Sequence, residues 1–418
     1  MIAIESPTTL AARYQQVRDF TEELCRPLAT EDYVVQSMPD VSPTKWHLAH
    51  TTWFFETFLL APHLPAFAPL DTRYGYLFNS YYEAIGERQP RAARGLLSRP
   101  TVEEVFQYRE YADRWMAMLL DQPSPRPDQL LDLVTLGINH EQQHQELLLT
   151  DLKHVYSCNP MDPIYSPRDL LRAAGIPPLR WFDFEGGTAT IGHYGQDFAF
   201  DNESPRHDTL LQPFRLASRL VTNGEWLAFM EDGGYQRPDL WLSMGWSTLQ
   251  EQRWTAPLYW RKYGSKWWNL TLSGQREIQE AEPVCHVSYF EADAYARWAG
   301  ARLPTEAEWE TASAGIPTGG NFVESGCFHP RPAMANGLVQ MYGDVWEWTQ
   351  SSYSAYPGFR PASGAIGEYN GKFMCNQYVL RGGSCATAQD HIRATYRNFF
   401  PPEARWQFMG VRLAQDAL

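Results

Sequence analysis

No two of the six cysteines (Cys25, Cys158, Cys285, Cys327, Cys375 and Cys385) are spaced as a CxxC pair, so neither a thiolate metal site nor a disulfide framework is written into the 418 residues. Reduced thiols are the expectation. No apolar stretch approaches the roughly 20 residues of a membrane span, and Met1 to Leu10 lacks a basic region followed by an apolar core, so a cytoplasmic protein is expected. Positive charge is scarce as well: 35 Lys and Arg against 49 Asp and Glu give a formal net charge of -14, with no basic run or basic aromatic stripe. That balance argues against DNA or RNA as a partner. Internal repeats and low-complexity tracts are absent. Aromatic residues, by contrast, are abundant: 16 Trp, 22 Tyr and 21 Phe, concentrated after about Trp181. Most must fill cores, and a minority can form a cage for a cationic ligand.

The length allows two or three domains, and 44% hydrophobic with 20% charged residues is ordinary for a globular chain. Residues 1–160 read as helices. Ser6-Pro7 supplies an N-cap and a first-turn proline before Leu10, Tyr14, Val17 and Leu24 at helical spacing. Ser42-Pro43 repeats that signal before Lys45 to Leu60, Thr101 to Glu104 is a capping box opening a helix to about Leu120, and Asp128 caps the next helix. Four long helices with proline-punctuated connections suggest an antiparallel bundle. Residues 161–180 read as a linker, rich in proline and turn residues from Pro160 to Pro178. Residues 181–418 then show short apolar runs broken by Gly, Pro, Asn and Asp. Only Asn223 to Met230, Phe290 to Trp298 and Glu306 to Ser313 read as helical there.

The chemistry concentrates in Ile138-Asn139-His140-Glu141-Gln142-Gln143-His144-Gln145-Glu146. At about 100° per helical residue, His140 and His144 project within roughly 40° of each other, on the side of Leu133, Leu136 and Leu147. Two imidazoles on one interior face can hold a metal ion. Glu146, two residues past His144, points roughly 200° away, so a third ligand must come from another helix. His47 and His50 in Trp46-His47-Leu48-Ala49-His50 lie about 60° apart on one face, and periodicity does not choose between them. A site of three imidazoles without a carboxylate keeps the metal's full charge and favours an anionic ligand such as a thiolate. Arg91 and Arg94, three apart, can clamp a carboxylate, and the residues alone leave this open against a solvated pair. Tyr81 and Tyr82 can serve as proton donors beside a metal or simply pack.

These segments resemble a known family. His-Leu-Ala-His-Thr-Thr-Trp-Phe-Phe-Glu at 47–56, Phe-Asn-Ser-Tyr-Tyr at 78–82 and His-Glu-Gln-Gln-His-Gln-Glu at 140–146 are similar to the DinB-type bundle of ergothioneine-biosynthesis sulfoxide synthases. Gly186-Gly187-Thr188, Asn202 to Pro205, Val221 to Trp226, Arg302 to Glu310, Gly343 to Thr349 and Leu380 to Ser384 resemble the formylglycine-generating (sulfatase-modifying) fold. The implied fold class is α plus α+β: a DinB-like four-helix bundle followed by a loop-rich, C-type-lectin-like domain of the formylglycine-generating-enzyme type.

The resemblance implies a non-heme Fe(II) enzyme that joins the sulfur of cysteine or gamma-glutamylcysteine to C2 of the imidazole of hercynine, with O2 supplying the sulfoxide oxygen. It implies His50, His140 and His144 as iron ligands, Gln143 at the hercynine imidazole, and Arg91 and Arg94 at the thiol substrate's carboxylate. It places the betaine group at Asn398, Phe399 and Phe400, which suits a trimethylammonium with no N–H to donate. Family members differ over the catalytic tyrosine, for which this chain offers Tyr81 and Tyr82 in the bundle, our preferred pair, or Tyr353 and Tyr356 in the second domain. Cys385 follows Ser384 without the spaced partner cysteine of true formylglycine-generating enzymes, so that second domain reads as a scaffold. Rival readings are a relative acting on histidine or transferring selenium, a Zn-dependent thiol transferase or hydrolase, and a non-enzymatic ligand-binding protein with a structural metal.

Overall fold

The computed structural model describes residues 9–121, 127–168 and 175–417. They form two compact units: Met1–Cys158 with Ser363–Tyr369, and Asn159–Ala362 with Asn370–Leu418. No described helix is long and apolar enough to cross a membrane.

The first unit is built on four long helices, Leu10–Cys25, Thr44–Phe55, Val102–Asp121 and Pro127–Ser157. Ser6-Pro7 lies outside the described residues; the first helix is capped instead by Thr9, whose Oγ1 accepts from the Ala12 amide at 3.2 Å. Thr101 and Glu104 exchange the two hydrogen bonds of a capping box at 2.6 and 3.1 Å. The side chain of Asp128 lies outside the described residues. Every residue of the second helix is buried, and it continues through a π-helical turn, Glu56–Leu60. It is therefore the central element, polar face included. Tyr14, Phe55, Leu59, Met116, Val134 and Ile138 fill the apolar core. Gly137 sets how closely the second and fourth helices approach, because a Cβ there would lie 2.5 Å from the Phe55 ring.

The polar half of the bundle is held by buried charge. The fully buried Glu141 carboxylate accepts from Arg18 at 2.8 Å, Arg109 at 2.9 Å and Thr21 Oγ1 at 2.7 Å. Arg18 also reaches Thr52 at 3.1 Å and Arg109 reaches Thr51 at 3.2 Å, so the carboxylate joins three helices directly and the second through its two arginines.

The second unit is stitched from small sheets. Strand Phe214–Ala217 lies between Trp181–Phe184 and Ala414–Asp416; a four-stranded sheet runs Asn398–Phe400, Tyr378–Arg381, Trp346–Ser352, Met409–Gly410. Two-stranded and three-stranded sheets complete the set. The helices Asn223–Glu231, Tyr289–Trp298 and Glu306–Ser313 match the expected segments, and a further one, Ser243–Gln252, was not expected. It has no side-chain cap and its first turn contains Gly245, which is why its residues read as loop. The motif residues have structural partners here. Arg302 pairs with Glu308 at 2.7 Å, Arg412 with Glu347 at 2.8 Å, and Glu306 receives both Arg381 and Arg397. Gly343 in Gly-Asp-Val-Trp-Glu-Trp adopts φ +77°, and a Cβ would sit 2.5 Å from the Asn321 carbonyl oxygen.

Candidate metal centre

The second helix supplies His50, and the fourth supplies His140 and His144 one turn apart. Their candidate ligand nitrogens all lie within 4.8 Å of one another, and among the described residues no carboxylate or thiol joins the set. His50 is aimed by its surroundings: its ring stacks between Trp46, 4.6 Å away at 13°, and Trp53, 5.6 Å away at 16°. Its Nδ1 donates to the Phe78 carbonyl at 2.6 Å, which leaves Nε2 with a lone pair.

The residues fit a metal ion on their own chemistry. His50 Nε2 and both ring nitrogens of His140 are buried with no hydrogen-bond partner. An orphaned buried polar atom costs about 1–3 kcal/mol, and a metal ion would satisfy those that face it. Burial pushes the basicity of all three rings down, His140 to about 3, with neighbouring imidazoles adding to the effect at His50 and His144. Neutral rings are the ligating form.

His47 is not part of the triad. It lies behind it, with Nδ1 2.9 Å from His144 Nδ1 and Nε2 3.0 Å from Asp151 Oδ2. Asp151 stands seven residues after His144, so two helical turns put it on the same face, and that spacing is the signal in the sequence that marks it.

Arg94 is buried and stacks on Trp46, its guanidinium carbon 3.3 Å from the ring centroid. It donates to Ser42 Oγ at 2.9 Å and Ser80 Oγ at 3.3 Å, with no carboxylate at ion-pair distance among the described residues. Burial, reinforced by the charge of Arg91, pushes its pKa down, so the pocket is suited to an anion. Arg91 is exposed and bonds the Asp40 carbonyl instead.

Of the tyrosines, Tyr82 is fully buried against Trp53 and Phe58, and Tyr81 packs on it with ring centroids 4.6 Å apart, tilted by 30°. The phenol beside the triad is one that the sequence reading missed. The Tyr369 ring lies 5.7 Å from that of His140 and 6.4 Å from Tyr81, and its hydroxyl donates to Gln143 Oε1. It is delivered by Ser363–Tyr369, where the neighbouring Glu368 carboxylate accepts from the amides of Glu83 at 3.0 Å and Ala84 at 2.8 Å. A contact across 226 residues leaves no spacing pattern to read.

In the second unit, Tyr353 stacks on Phe399 at 4.0 Å and accepts from Asn202, while Tyr356 is bound to Glu306 and Arg381. Asn398, Phe399 and Phe400 are half-buried on one strand. Adjacent strand residues point to opposite faces, and the two rings have different neighbours: Tyr353 and Phe373 for Phe399, Trp406 for Phe400.

Comparison with known proteins gives two family models. Residues 13–148 match the DinB superfamily, and residues 183–336 and 321–417 match the sulfatase-modifying factor enzyme 1-like domain. The chain is 34% identical to the hercynine oxygenase of Mycobacterium tuberculosis, over 97% of this chain and 96% of the relative. It is 34% identical to that of Mycolicibacterium thermoresistibile (90% and 88% covered) and 35% identical to that of Mycolicibacterium smegmatis (91% and 92%). A helical DinB-type unit carrying the triad, joined to a sulfatase-modifying-factor-type unit, at this identity over nearly the full length, places the chain in the hercynine oxygenase family.

Proposed function

We propose that the protein is a non-heme Fe(II)- and O2-dependent sulfoxide synthase that forms a C–S bond between C2 of hercynine and cysteine or gamma-glutamylcysteine. The observation that carries this reading is the buried, all-imidazole triad with orphaned ring nitrogens. Three neutral ligands leave the metal's charge uncompensated, which favours an anionic thiolate and, with iron, reduction of dioxygen. The metal, when bound, supplies that redox chemistry.

The chain's own residues would do the rest. Arg94, with hydroxyl neighbours and no carboxylate at ion-pair distance among the described residues, receives the carboxylate of the thiol substrate, and Arg91 at the surface adds charge. Gln143 contacts the hercynine imidazole, and Asn398 and Phe400, which share one face of their strand, receive the trimethylammonium group, with Phe399 turned to the other face against Tyr353. Holding both substrates fixes sulfur and C2 at attack distance. The Tyr369 hydroxyl, beside His140 and aligned by Gln143, gives its proton to reduced oxygen, with Tyr81 and Tyr82 packed behind as the alternative donors.

Tyr369→Phe is expected to divert turnover from the sulfoxide to simple oxidation of the thiol to a sulfinate. Tyr81→Phe and Tyr82→Phe should change the product ratio far less; the opposite ranking, read by mass analysis, returns the role to the bundle pair. Arg94→Met should raise the KM for the thiol by roughly 30-fold, about 2 kcal/mol for truncating one partner of a buried charge contact, and leave that for hercynine unchanged. Equal changes in both would remove the assignment.

The reading is tested by loading the protein anaerobically with Fe(II), adding hercynine and each candidate thiol in turn, and admitting oxygen. A product with the mass of the hercynyl thioconjugate sulfoxide, absent with Zn(II), is expected. Turnover with zinc and without oxygen would instead establish a thiol transferase.

A further inference from the structure

We infer that His47 and Asp151 form a positioning pair that selects the metal-binding nitrogen of His144, so the centre has a built second layer. The inference concerns the metal centre on which the proposed function rests and does not depend on the reaction.

Asp151 is buried, and its Oδ2 accepts the Ser42 amide at 2.8 Å, which requires an acceptor at that oxygen. His47 Nε2, 3.0 Å from the same oxygen, therefore carries the hydrogen in that contact. In a neutral ring the hydrogen on Nε2 leaves a lone pair on Nδ1. That lone pair faces His144 Nδ1 at 2.9 Å, and two lone pairs cannot meet, so His144 carries its hydrogen on Nδ1. The lone pair of His144 is thereby left on Nε2, on the other side of the ring. His50 reaches the same tautomer by donating to the Phe78 carbonyl at 2.6 Å. Two of the three ligands are thus oriented by a hydrogen bond from the nitrogen that does not bind, one by backbone and one by this pair.

The same pair also disposes of His47 as a ligand. Both its nitrogens are engaged, one at each end of the relay, and neither is left over for a metal. Its position three residues before His50 puts it on the shared face for this purpose, which accounts for two histidines where one ligand is needed.

The test uses the full chain with Co(II) in place of iron, so no turnover is required. His47→Phe, which removes donor and acceptor together, is expected to weaken Co(II) binding by roughly 10- to 100-fold and to alter the visible Co(II) absorption. His47→Gln, which keeps one acceptor and one donor, should recover most of the loss. Melting of the metal-free protein reports any purely structural effect, since a packing role would lower Tm without shifting the spectrum of the bound ion. Imidazole 15N resonances of the Zn(II)-loaded wild type give a second readout that needs no variant: hydrogens on Nδ1 of His144 and Nε2 of His47 are expected. Unchanged affinity and spectrum in a folded His47→Phe protein would overturn the inference, as would a hydrogen found on Nε2 of His144. Loss of the affinity effect with sulfoxide formation intact removes only this inference; failure of the sulfoxide assay with the effect present removes only the reaction.

Discussion

His140→Ala is expected to fold and to lose its metal. The ring it deletes carries two buried nitrogens without hydrogen-bond partners, so the metal-free protein gives up little on losing it, and a shift in Tm within about 4 °C is expected. The bound state gives up far more. Losing a residue that merely orients a ligand costs about 10- to 100-fold in metal affinity, so losing one of only three ligands should exceed that, with oxygen-dependent turnover falling in step. Metal titration of wild type and variant, each followed by a melt, checks both halves. A variant that keeps full metal affinity places the centre elsewhere; one that unfolds without metal makes the triad structural, as the non-enzymatic reading requires.

The second large effect is on stability. Glu141→Gln is expected to destabilise the bundle by about 3 kcal/mol, because it removes the one fully buried carboxylate shared by Arg18 and Arg109 and leaves Arg18 with Asp113 and Arg109 with Glu22 at 3.6 Å. Burial by itself raises the Glu141 carboxyl, and the two guanidinium charges override it, holding it at about 2. In the unfolded chain the value is about 4.3, so the stabilisation is fully present above that pH and is lost as pH falls through about 2. The gap between wild type and Glu141→Gln, followed as the urea midpoint of the helical signal, should therefore be largest near neutrality and narrow from about pH 4.3 downwards. A gap independent of pH, or none at all, would mean that the carboxylate charge is not what joins the four helices.

Much of this was legible in the residues for identifiable reasons. His140 and His144 could be read because a helix repeats every 3.6 residues and an apolar stripe marks its inner side. Thr101 with Glu104 could be read because a cap is local. Local rules stop where the chain returns to itself. Whether His47 or His50 joins His140 and His144 depends on the rotation of a helix buried on all sides, which periodicity does not give. Glu141 reads as a solvated acid beside a ligand; its arginines come from two other helices. Tyr369 sits in Gly-Glu-Tyr-Asn, unremarkable by composition, and matters only because Glu368 anchors that segment on the amides after Tyr82. The second unit shows the reverse case. Its motifs are conspicuous in sequence, yet Glu306, Glu347 and Arg412 hold the fold together through buried ion pairs, and Arg302 with Glu308 through a half-buried one.

X-ray absorption on the Fe(II)-loaded protein, before any substrate is added, bears most directly on the triad as the metal centre. One iron per chain with imidazole scattering from three rings and no sulfur is the predicted spectrum, and His50→Ala should remove one ring from it. A protein thiolate in the first shell, or an unchanged spectrum in that variant, would contradict the account.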